Sequence, residues 1–215
     1  MIKIENITKK FGSQIILNNI NLNIQDSQKL LIMGQNGAGK STLMKVILGE
    51  IICDNGSISI DGIDPIKDRK NALKYLSFVP QTPPPLRLSV SDLCHYCVSS
   101  TKANLNDIIS YLKELDLEYK KEYKKPFYKL SGGMKQKVLI ALALARESKT
   151  IMFDEPTANL DPKAREKFMD ILNSKFQSHT LIFISHRVSE VKGIVNRIVE
   201  MDLGNIIKDN KANNE

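Results

Sequence analysis

The sequence has no tryptophan, and phenylalanine and tyrosine together make up only 6% of its 215 residues. Its three cysteines are an odd number spread along the chain, which argues against a disulfide framework and fits a reducing compartment. It also lacks any run of about 18 consecutive apolar residues, the length that a membrane-spanning helix requires. The longest uncharged apolar stretch is Val138 to Ala145, so we predict no membrane span within this chain.

The N-terminal residues lack the apolar run of a secretory signal. Residues 1–6 read MIKIEN, in which charged and polar residues alternate with isoleucine, so we expect no export and a cytoplasmic location. The charge is basic, since 31 Lys and Arg outnumber 24 Asp and Glu to give a net charge of +7. Such a charge suits an anionic partner, and a nucleotide, a nucleic acid and an acidic lipid surface are the alternatives.

Short apolar segments of strand length alternate with helical patterns along most of the chain. Residues 29–33, 150–153 and 180–184 are mostly apolar runs, typical of buried parallel strands. Within the first 24 residues, apolar and polar residues alternate as they do in half-buried antiparallel strands. The pattern predicts an α/β fold with a mostly parallel sheet and a small antiparallel β layer before it.

The strand pattern stops between residues 82 and 149, where apolar residues recur at helical spacing. Three prolines at 83–85 form a stiff, non-helical entry, and the sequence SVSD at 89–92 is a capping box that predicts a helix start. We therefore expect one domain over residues 1–215, with a core at 1–81 and 150–208, an inserted helical subdomain at 82–149 and a frayed polar tail at 209–215.

A glycine-rich loop joins the strand at 29–33 to a segment of helical periodicity. The loop, GQNGAGKS at 34–41, fits the phosphate-loop pattern. Its glycines let backbone N–H groups converge on a phosphate, Lys40 neutralises the β and γ oxygens, and the Ser41 hydroxyl can ligate Mg²⁺. The alternative is a turn that only joins strand to helix. The predicted nucleotide-binding residues are Gly34, Gln35, Asn36, Gly37, Ala38, Gly39, Lys40, Ser41 and Thr42.

Two acidic residues follow the apolar strand at 150–153. Asp154 stands at the strand end, where a carboxylate can reach the Mg²⁺ shell, and Glu155 is next, directed toward a γ-phosphate. Taken alone, such a pair is equally typical of a turn leading into a helix, because Pro156 follows. Its combination with the phosphate loop favours a phosphoryl-transfer site with ATP and Mg²⁺ as cofactors.

Residues 130–136, LSGGMKQ, place two adjacent glycines at a helix start, where glycine loses more backbone entropy than other residues do. This segment resembles the signature of ABC-type ATPases, the ATP-binding subunits of ABC transporters. Further landmarks of that family follow in order as Gln81, the NLD sequence at 159–161, and His186. The resemblance covers essentially the whole chain. Met134 and Lys137 depart from the commonest signature residues, but neither change removes a phosphate donor.

The resemblance implies that two such domains close head to tail, as a homodimer, so that each signature completes the ATP site of the partner through Ser131, Gly132 and Gly133. Asp161 is implied to contact the partner across this dimer. Phe11 matches the aromatic residue that stacks on adenine, although a structural phenylalanine in a hairpin is the alternative.

The resemblance also assigns the chemistry. Glu155 is the implied general base or water-orienting carboxylate, and His186 is the implied sensor of the γ-phosphate. Gln81 is implied to ligate Mg²⁺ or its water, together with Ser41 and Asp154.

Two other features are interpreted as structural. Cys94 and Cys97 are spaced like a metal clip, but no second cysteine pair exists, so we expect both in a buried helix face. The lysine-rich run at 120–125 contains an acid and is more typical of a solvated segment than of a lipid or nucleic-acid contact.

We therefore predict an ATPase subunit that powers a separate multi-spanning permease, which contacts residues 82–149 and holds the chain on the inner face of the cell membrane. The alternative is a soluble ABC ATPase acting on ribosomes or DNA, which the single domain and the lack of heptads between 81 and 130 disfavour, so nucleic acid is not an expected partner. A small-molecule kinase has no use for the signature. The short chain resembles ATPase subunits of export or copper-site maturation permeases.

Overall fold

The structure is a computed structural model that describes residues 1–212. Within these residues, the strands are β1 (Ile2–Phe11), β2 (Gln14–Ile24), β3 (Lys29–Met33), β4 (Asn55–Ile60), β5 (Leu76–Val79), β6 (Thr150–Asp154), β7 (Thr180–Ile184), β8 (Arg197–Asp202) and β9 (Asn205–Lys211). The α-helices are α1 (Lys40–Ile47), α2 (Arg69–Leu73), α3 (Val90–Ser100), α4 (Leu105–Glu114), α5 (Tyr119–Glu122), α6 (Gly132–Ala145) and α7 (Pro162–Lys175). Short 3-10 turns lie at Phe127–Lys129 and Val188–Glu190.

The chain divides into two compact units. The first unit contains Met1–Leu76 and Ser178–Glu215, and the second unit contains Ser77–Gln177. The expected helical subdomain, residues 82–149, falls inside the second unit together with strand and helix segments that flank it.

The first unit begins with an antiparallel layer in which β1 pairs with β2 on one side and with β4 on the other. Ile4 of β1 lies opposite Leu22 of β2 and Ile58 of β4, and all three side chains are buried. The alternation of buried and exposed residues follows from the period of two in a strand, since one face of the layer covers the core. The antiparallel layer predicted from the first 24 residues is therefore confirmed.

The second sheet of the first unit is mostly parallel. β3 runs parallel to both β7 and β8, and β9 adds an antiparallel edge to β8. Leu30, Leu31 and Ile32 of β3 are fully buried, as expected for a strand that is covered on both faces. The carboxyl ends of β3, β7 and β8 therefore lie at one edge of this sheet, where ligands of α/β proteins bind.

In the second unit, β5 lies beside β6 and the remaining elements are helical. The predicted capping box starts α3, because the Ser89 side chain accepts a hydrogen bond from the Asp92 N–H while the Asp92 carboxylate accepts from the Ser89 N–H. Buried residues of the helices and of their connections form the core of this unit, among them Val90, Ile108, Phe127 and Val138. The α/β fold class is confirmed.

The C-terminal segment differs from its prediction. Residues 209–211 were expected in a frayed tail, but they belong to β9, in which Asp209 lies opposite Val199 and accepts two hydrogen bonds from the Arg197 guanidinium at 2.7 and 2.6 Å. Pairing with β8 orders this polar segment. Residues 213–215 lie outside the described residues. Among residues 1–212, no helix combines the length and the apolar character that crossing a membrane requires.

Candidate functional site

The phosphate loop follows β3 and leads directly into α1. Gly34 and Gly39 are required by close approach, because a Cβ atom at Gly34 would collide with the Met201 carbonyl oxygen and one at Gly39 would lie 2.7 Å from the Ile16 carbonyl oxygen. Gly39 also has a φ of 98°, a conformation that favours glycine. The loop is therefore held against neighbouring backbone, while Gln35, Asn36 and Gly37 stay exposed at its tip.

Lys40 is the first residue of α1, and its side chain folds back over the loop. Its ammonium donates hydrogen bonds to the carbonyl oxygens of Gly34 at 2.7 Å and Gln35 at 2.9 Å. The N–H groups of the first helical turn have no intrahelical acceptor, and the helix dipole makes this end partly positive. Ser41 is exposed and Thr42 is half-buried in the same turn. The arrangement offers a cation, backbone donors and a hydroxyl to an anion.

The hairpin of β8 and β9 supports the phosphate loop, a contact for which the sequence gave no prediction. The turn between β8 and β9 consists of Leu203 and Gly204, with φ values of 43° and 80°. The Gly204 N–H donates to the Ala38 carbonyl oxygen at 3.2 Å, and the Gly204 carbonyl oxygen accepts from the Asn18 N–H at 2.8 Å. The one sequence signal for this support is the glycine at the hairpin turn.

His186 follows β7 and lines a cavity of about 320 Å³ beside the phosphate loop. Gly34 and Gln35 of the loop line the same cavity. The ring is exposed, and its Nε2 accepts a hydrogen bond from Arg187 Nε at 3.1 Å. Within the first unit, the structure therefore brings His186 and the phosphate loop together.

Phe11 ends β1 at a hairpin whose two-residue loop is Gly12 and Ser13. Phe11 is 52% exposed, and the Lys9 ammonium lies 5.4 Å from the centroid of its ring. An exposed ring of this kind offers a face for stacking rather than a side chain packed into the core.

The paired acids lie at the end of β6 in the second unit. Every residue of β6 is buried, and Asp154 and Glu155 are each only 8% exposed. Glu155 has a φ of 46°, a left-handed conformation that is unfavourable for a residue with a side chain. Its carbonyl oxygen accepts from the Ala158 N–H at 3.2 Å, which closes the turn after the strand. Strained backbone at a buried carboxylate is typical of functional sites.

The signature and the loop at 159–161 pack together in the second unit. Ser131 caps α6, with its hydroxyl oxygen accepting from the Met134 N–H at 3.3 Å. A Cβ atom at Gly133 would lie 2.8 Å from the Asn159 carbonyl oxygen, so this glycine is required by close approach. A Cβ atom at Gly132 would lie 3.7 Å from the side-chain oxygen of Asn159, an ordinary contact that leaves room for a methyl group.

Asp161 caps α7 and contacts the signature helix. Its carboxylate accepts from the Ala164 N–H at 2.9 Å, and the Lys137 ammonium lies 3.6 Å from it. The Ala164 hydrogen bond and the charge of Lys137 hold the pKa of Asp161 below its usual value. Gln81 is exposed on the segment after β5. The site residues thus form two sets, with the phosphate loop, Phe11 and His186 in the first unit and the others in the second.

The comparison with known proteins decides the family. The sequence profile described as ABC transporter matches residues 17–158, well over half of the chain. The chain belongs to the ABC transporter family.

Relatives within this family are ATP-binding subunits. The chain is 33% identical to the lantibiotic transport ATP-binding protein SrtF of Streptococcus pyogenes, over 96% of this chain and 89% of that protein. It is 32% identical to the energy-coupling factor transporter ATP-binding protein EcfA2 of Clostridium perfringens, over 98% and 79%. A dimeric structure of the ATP-binding cassette MJ0796, bound to ADP and Pi, superimposes with a TM-score of 0.83 at 29% identity and covers 98% of each chain.

These findings establish what the chain does. As an ABC transporter ATP-binding subunit, it binds and hydrolyses ATP and powers a membrane transporter. Dimerisation and a membrane permease partner agree with the dimeric cassette and with the transporter relatives.

Two features outside the site agree with their structural interpretation. Cys94 and Cys97 are buried in α3, and burial raises the pKa of the Cys94 thiol to about 12. The predicted buried helix face is confirmed. The lysine-rich run at 120–125 includes ion pairs of Lys121 with Glu118 and of Lys125 with Glu122.

Proposed function

We propose that ATP hydrolysis depends on Glu155 as the general base or water-orienting carboxylate. The observation that carries the proposal is the strained backbone of Glu155, which places a nearly buried carboxylate directly after Asp154 at the end of β6. A carboxylate in this position accepts a proton from the attacking water or orients it for in-line attack. The strained conformation persists because the buried strand and the following turn determine it.

Lys40 and the phosphate loop bind the nucleotide. The two carbonyl oxygens that now accept from the Lys40 ammonium hold the side chain over the loop, where it is directed at the β and γ phosphates. Phe11 stacks on the adenine. His186, which lines the cavity beside Gly34 and Gln35, donates a hydrogen bond to the γ-phosphate and helps to orient the water.

Ser41, Gln81 and Asp154 hold Mg²⁺. A hydroxyl, an amide oxygen and a carboxylate are the hard oxygen ligands that this ion prefers, so the residues present fit it. When bound, Mg²⁺ neutralises charge that develops on the phosphate oxygens.

Two copies of the chain close head to tail, so that the signature of one completes the ATP site of the other. Ser131 and the first N–H groups of α6 contact the γ-phosphate of the partner's nucleotide, because the start of a helix is a site for anions. Asp161, whose carboxylate lies 3.6 Å from the ammonium of Lys137 in α6, contacts the partner across the dimer. The dimeric cassette bound to ADP and Pi supports the dimer itself.

The permease docks on residues 82–149, which places the chain peripherally on the inner face of the cell membrane. This segment exposes three large apolar side chains, Leu88, Tyr96 and Tyr128. A partner that covered these side chains would gain free energy from removing their apolar surface from water.

The test is Glu155→Gln, with Glu147→Gln as a matched control. Glu147 also has a positive φ, of 54°, but it is exposed after α6. We expect Glu155→Gln to bind ATP and lose turnover by about 100-fold or more, the usual contribution of a general base, and to form an ATP-dependent dimer in light scattering. Glu147→Gln should hydrolyse ATP like the wild type. Wild-type turnover in Glu155→Gln would refute the assignment.

A further inference from the structure

Gln136 is a polar residue that the fold buries completely in helix α6. Its exposure is 0%, and within residues 1–212 neither its Oε1 nor its Nε2 has a hydrogen-bond partner. The large majority of buried side-chain polar atoms are hydrogen-bonded, because an amide that leaves water without a new partner raises the free energy of the fold. An amide whose donor and acceptor both lack a partner therefore needs a reason other than stability.

The residues after Gln136 separate the two faces of α6. The Lys137 ammonium lies 3.6 Å from the carboxylate of Asp161, on the side of the loop at 159–161. Val138 instead packs into the apolar core of the helices. Residues three and four positions apart share a face of a helix, so Gln136 shares a face with the two signature glycines.

Helix geometry directs the Gln136 side chain toward the start of α6. Helical Cα–Cβ bonds tilt toward the N-terminus, so a long side chain covers the turn before its own Cα. That turn contains Gly132 and Gly133, which have no side chains to fill the space. The side-chain oxygen of Asn159 lies over the same turn, 3.7 Å from the Cβ position of Gly132. The amides of Gln136 and Asn159 are therefore directed at the same small region.

The chemistry of these two side chains is complementary. A primary amide has both a donor and an acceptor, so each of the two can satisfy the other. Asn159 is exposed on the loop, whereas Gln136 is fixed inside the unit. A small shift of the loop toward α6 is therefore enough to pair them.

We propose that Gln136 is a positioning residue that holds Asn159, and with it the loop at 159–161, when two copies of the chain close on ATP. The proposal rests on the proposed head-to-tail dimer. In the isolated chain the Gln136 amide has no partner, and its hydrogen bond to the Asn159 amide is made in the closed dimer. The unpartnered amide raises the free energy of the isolated chain relative to the dimer. Such a difference between two states is what shifts their populations.

The first test measures the folding stability of Gln136→Met. Methionine has nearly the volume of glutamine but no amide, so the isolated chain loses two unpartnered polar atoms and no hydrogen bond. Its midpoint of urea unfolding without nucleotide should equal or exceed that of the wild type. A lower midpoint would show that the amide already has a partner in the isolated chain, and would overturn the proposal.

The second test measures dimerisation by light scattering with ATP and Mg²⁺, in the Glu155→Gln background that should retain ATP. Gln136→Met should raise the dimer Kd by about tenfold, which corresponds to about 1.4 kcal/mol of lost hydrogen bonding. A residue with only a structural role would change stability and dimerisation in the same direction.

Ile140→Met is the matched control for dimerisation. Ile140 is one turn after Gln136 and is also fully buried, but its replacement removes no amide. This variant should change the dimer Kd by less than about twofold. An unchanged Kd in Gln136→Met, or an equal increase in Ile140→Met, would overturn the proposal.

A double-mutant cycle identifies the partner of the amide. Asn159→Ala should also weaken the dimer, and Gln136→Met should then cause little further loss, because both changes remove the same hydrogen bond. Additive losses would overturn the pairing. A Glu155→Gln protein that forms no ATP-dependent dimer would refute the head-to-tail arrangement and this proposal with it, whereas a dimer that forms equally well without the Gln136 amide would refute this proposal alone.

Discussion

Replacing each glycine of the signature by alanine separates a glycine needed for packing from one needed for activity. Both residues have helical backbone at the start of α6, so strain at positive φ does not contribute. At Gly132 the new methyl group meets the Asn159 side-chain oxygen at an ordinary 3.7 Å. At Gly133 it lies 2.8 Å from the Asn159 carbonyl oxygen, so the loop at 159–161 must move.

The two variants should therefore differ in stability. Alanine favours a helix over glycine by up to about 1 kcal/mol. The free energy of unfolding of Gly132→Ala should therefore equal or exceed that of the wild type. Gly133→Ala gains the same helix propensity but is overpacked, which costs about 1–3 kcal/mol, so its free energy of unfolding should fall. Urea unfolding of the two variants and the wild type measures both changes. A Gly133→Ala protein as stable as Gly132→Ala would refute the packing argument.

Activity should respond differently from stability. The proposed dimer brings the partner's phosphate against the N–H groups at Gly132, so a methyl group there should lower ATP turnover by about tenfold or more, equivalent to roughly 1.4 kcal/mol of transition-state stabilisation. Gly132→Ala should then be stable but slow. A variant that is both as stable and as active as the wild type would show that this glycine has no role in the site.

Three further outcomes are expected. Phe11→Ala should weaken ATP binding by about 1 kcal/mol in calorimetry through lost stacking, and unchanged affinity would remove the ring from the site. Burial raises the pKa of both Cys94 and Cys97, so alkylation of the native protein near neutral pH should label only Cys53, which is half-buried. Labelling of all three cysteines would contradict this. The ion pair with Arg197 lowers the pKa of Asp209, so Asp209→Asn should reduce the free energy of unfolding by at most about 1 kcal/mol at neutral pH. This difference between variant and wild type should vanish as acid protonates the folded carboxyl below ~3.9. A difference that stays constant with pH would exclude the ion pair as its cause.

Much of the fold follows from local patterns in the sequence. β3, β6 and β7 are continuous apolar runs, which buried parallel strands require, and their observed bounds agree with prediction to within one residue. The start of α3 is fixed by the chemistry of its capping box at residues 89–92. Such features depend on residues that are close in sequence, so a local sequence pattern is enough to predict them.

Other features depend on residues that are distant in sequence. β9 is mostly polar, and its pairing with β8 and the contact of Asp209 with Arg197 hold it in the sheet. The support of the phosphate loop by Gly204 joins backbone groups more than 150 positions apart, and hydrogen bonds of the main chain leave little trace in side-chain pattern.

Within the site, residue types were predictable but their conformations were not. The sequence indicates a carboxylate at 155 and a histidine at 186. The left-handed backbone of Glu155 and the hydrogen bond from Arg187 to His186 result from the turns that follow β6 and β7. Turn geometry of this kind is set by the packing around it, which a local pattern does not specify.

Identifying the protein that this ATPase binds shows whether it powers a membrane transporter. Tagged Glu155→Gln protein, which should hold the assembled state, is purified from detergent-solubilised cells in ATP and Mg²⁺, and the recovered proteins are quantified by mass spectrometry. We expect a multi-spanning membrane protein in near-equal amount, and less of it with a Lys40→Ala control that binds ATP poorly. Recovery of ribosomal proteins or DNA-bound factors in that amount, with no membrane protein, would contradict it.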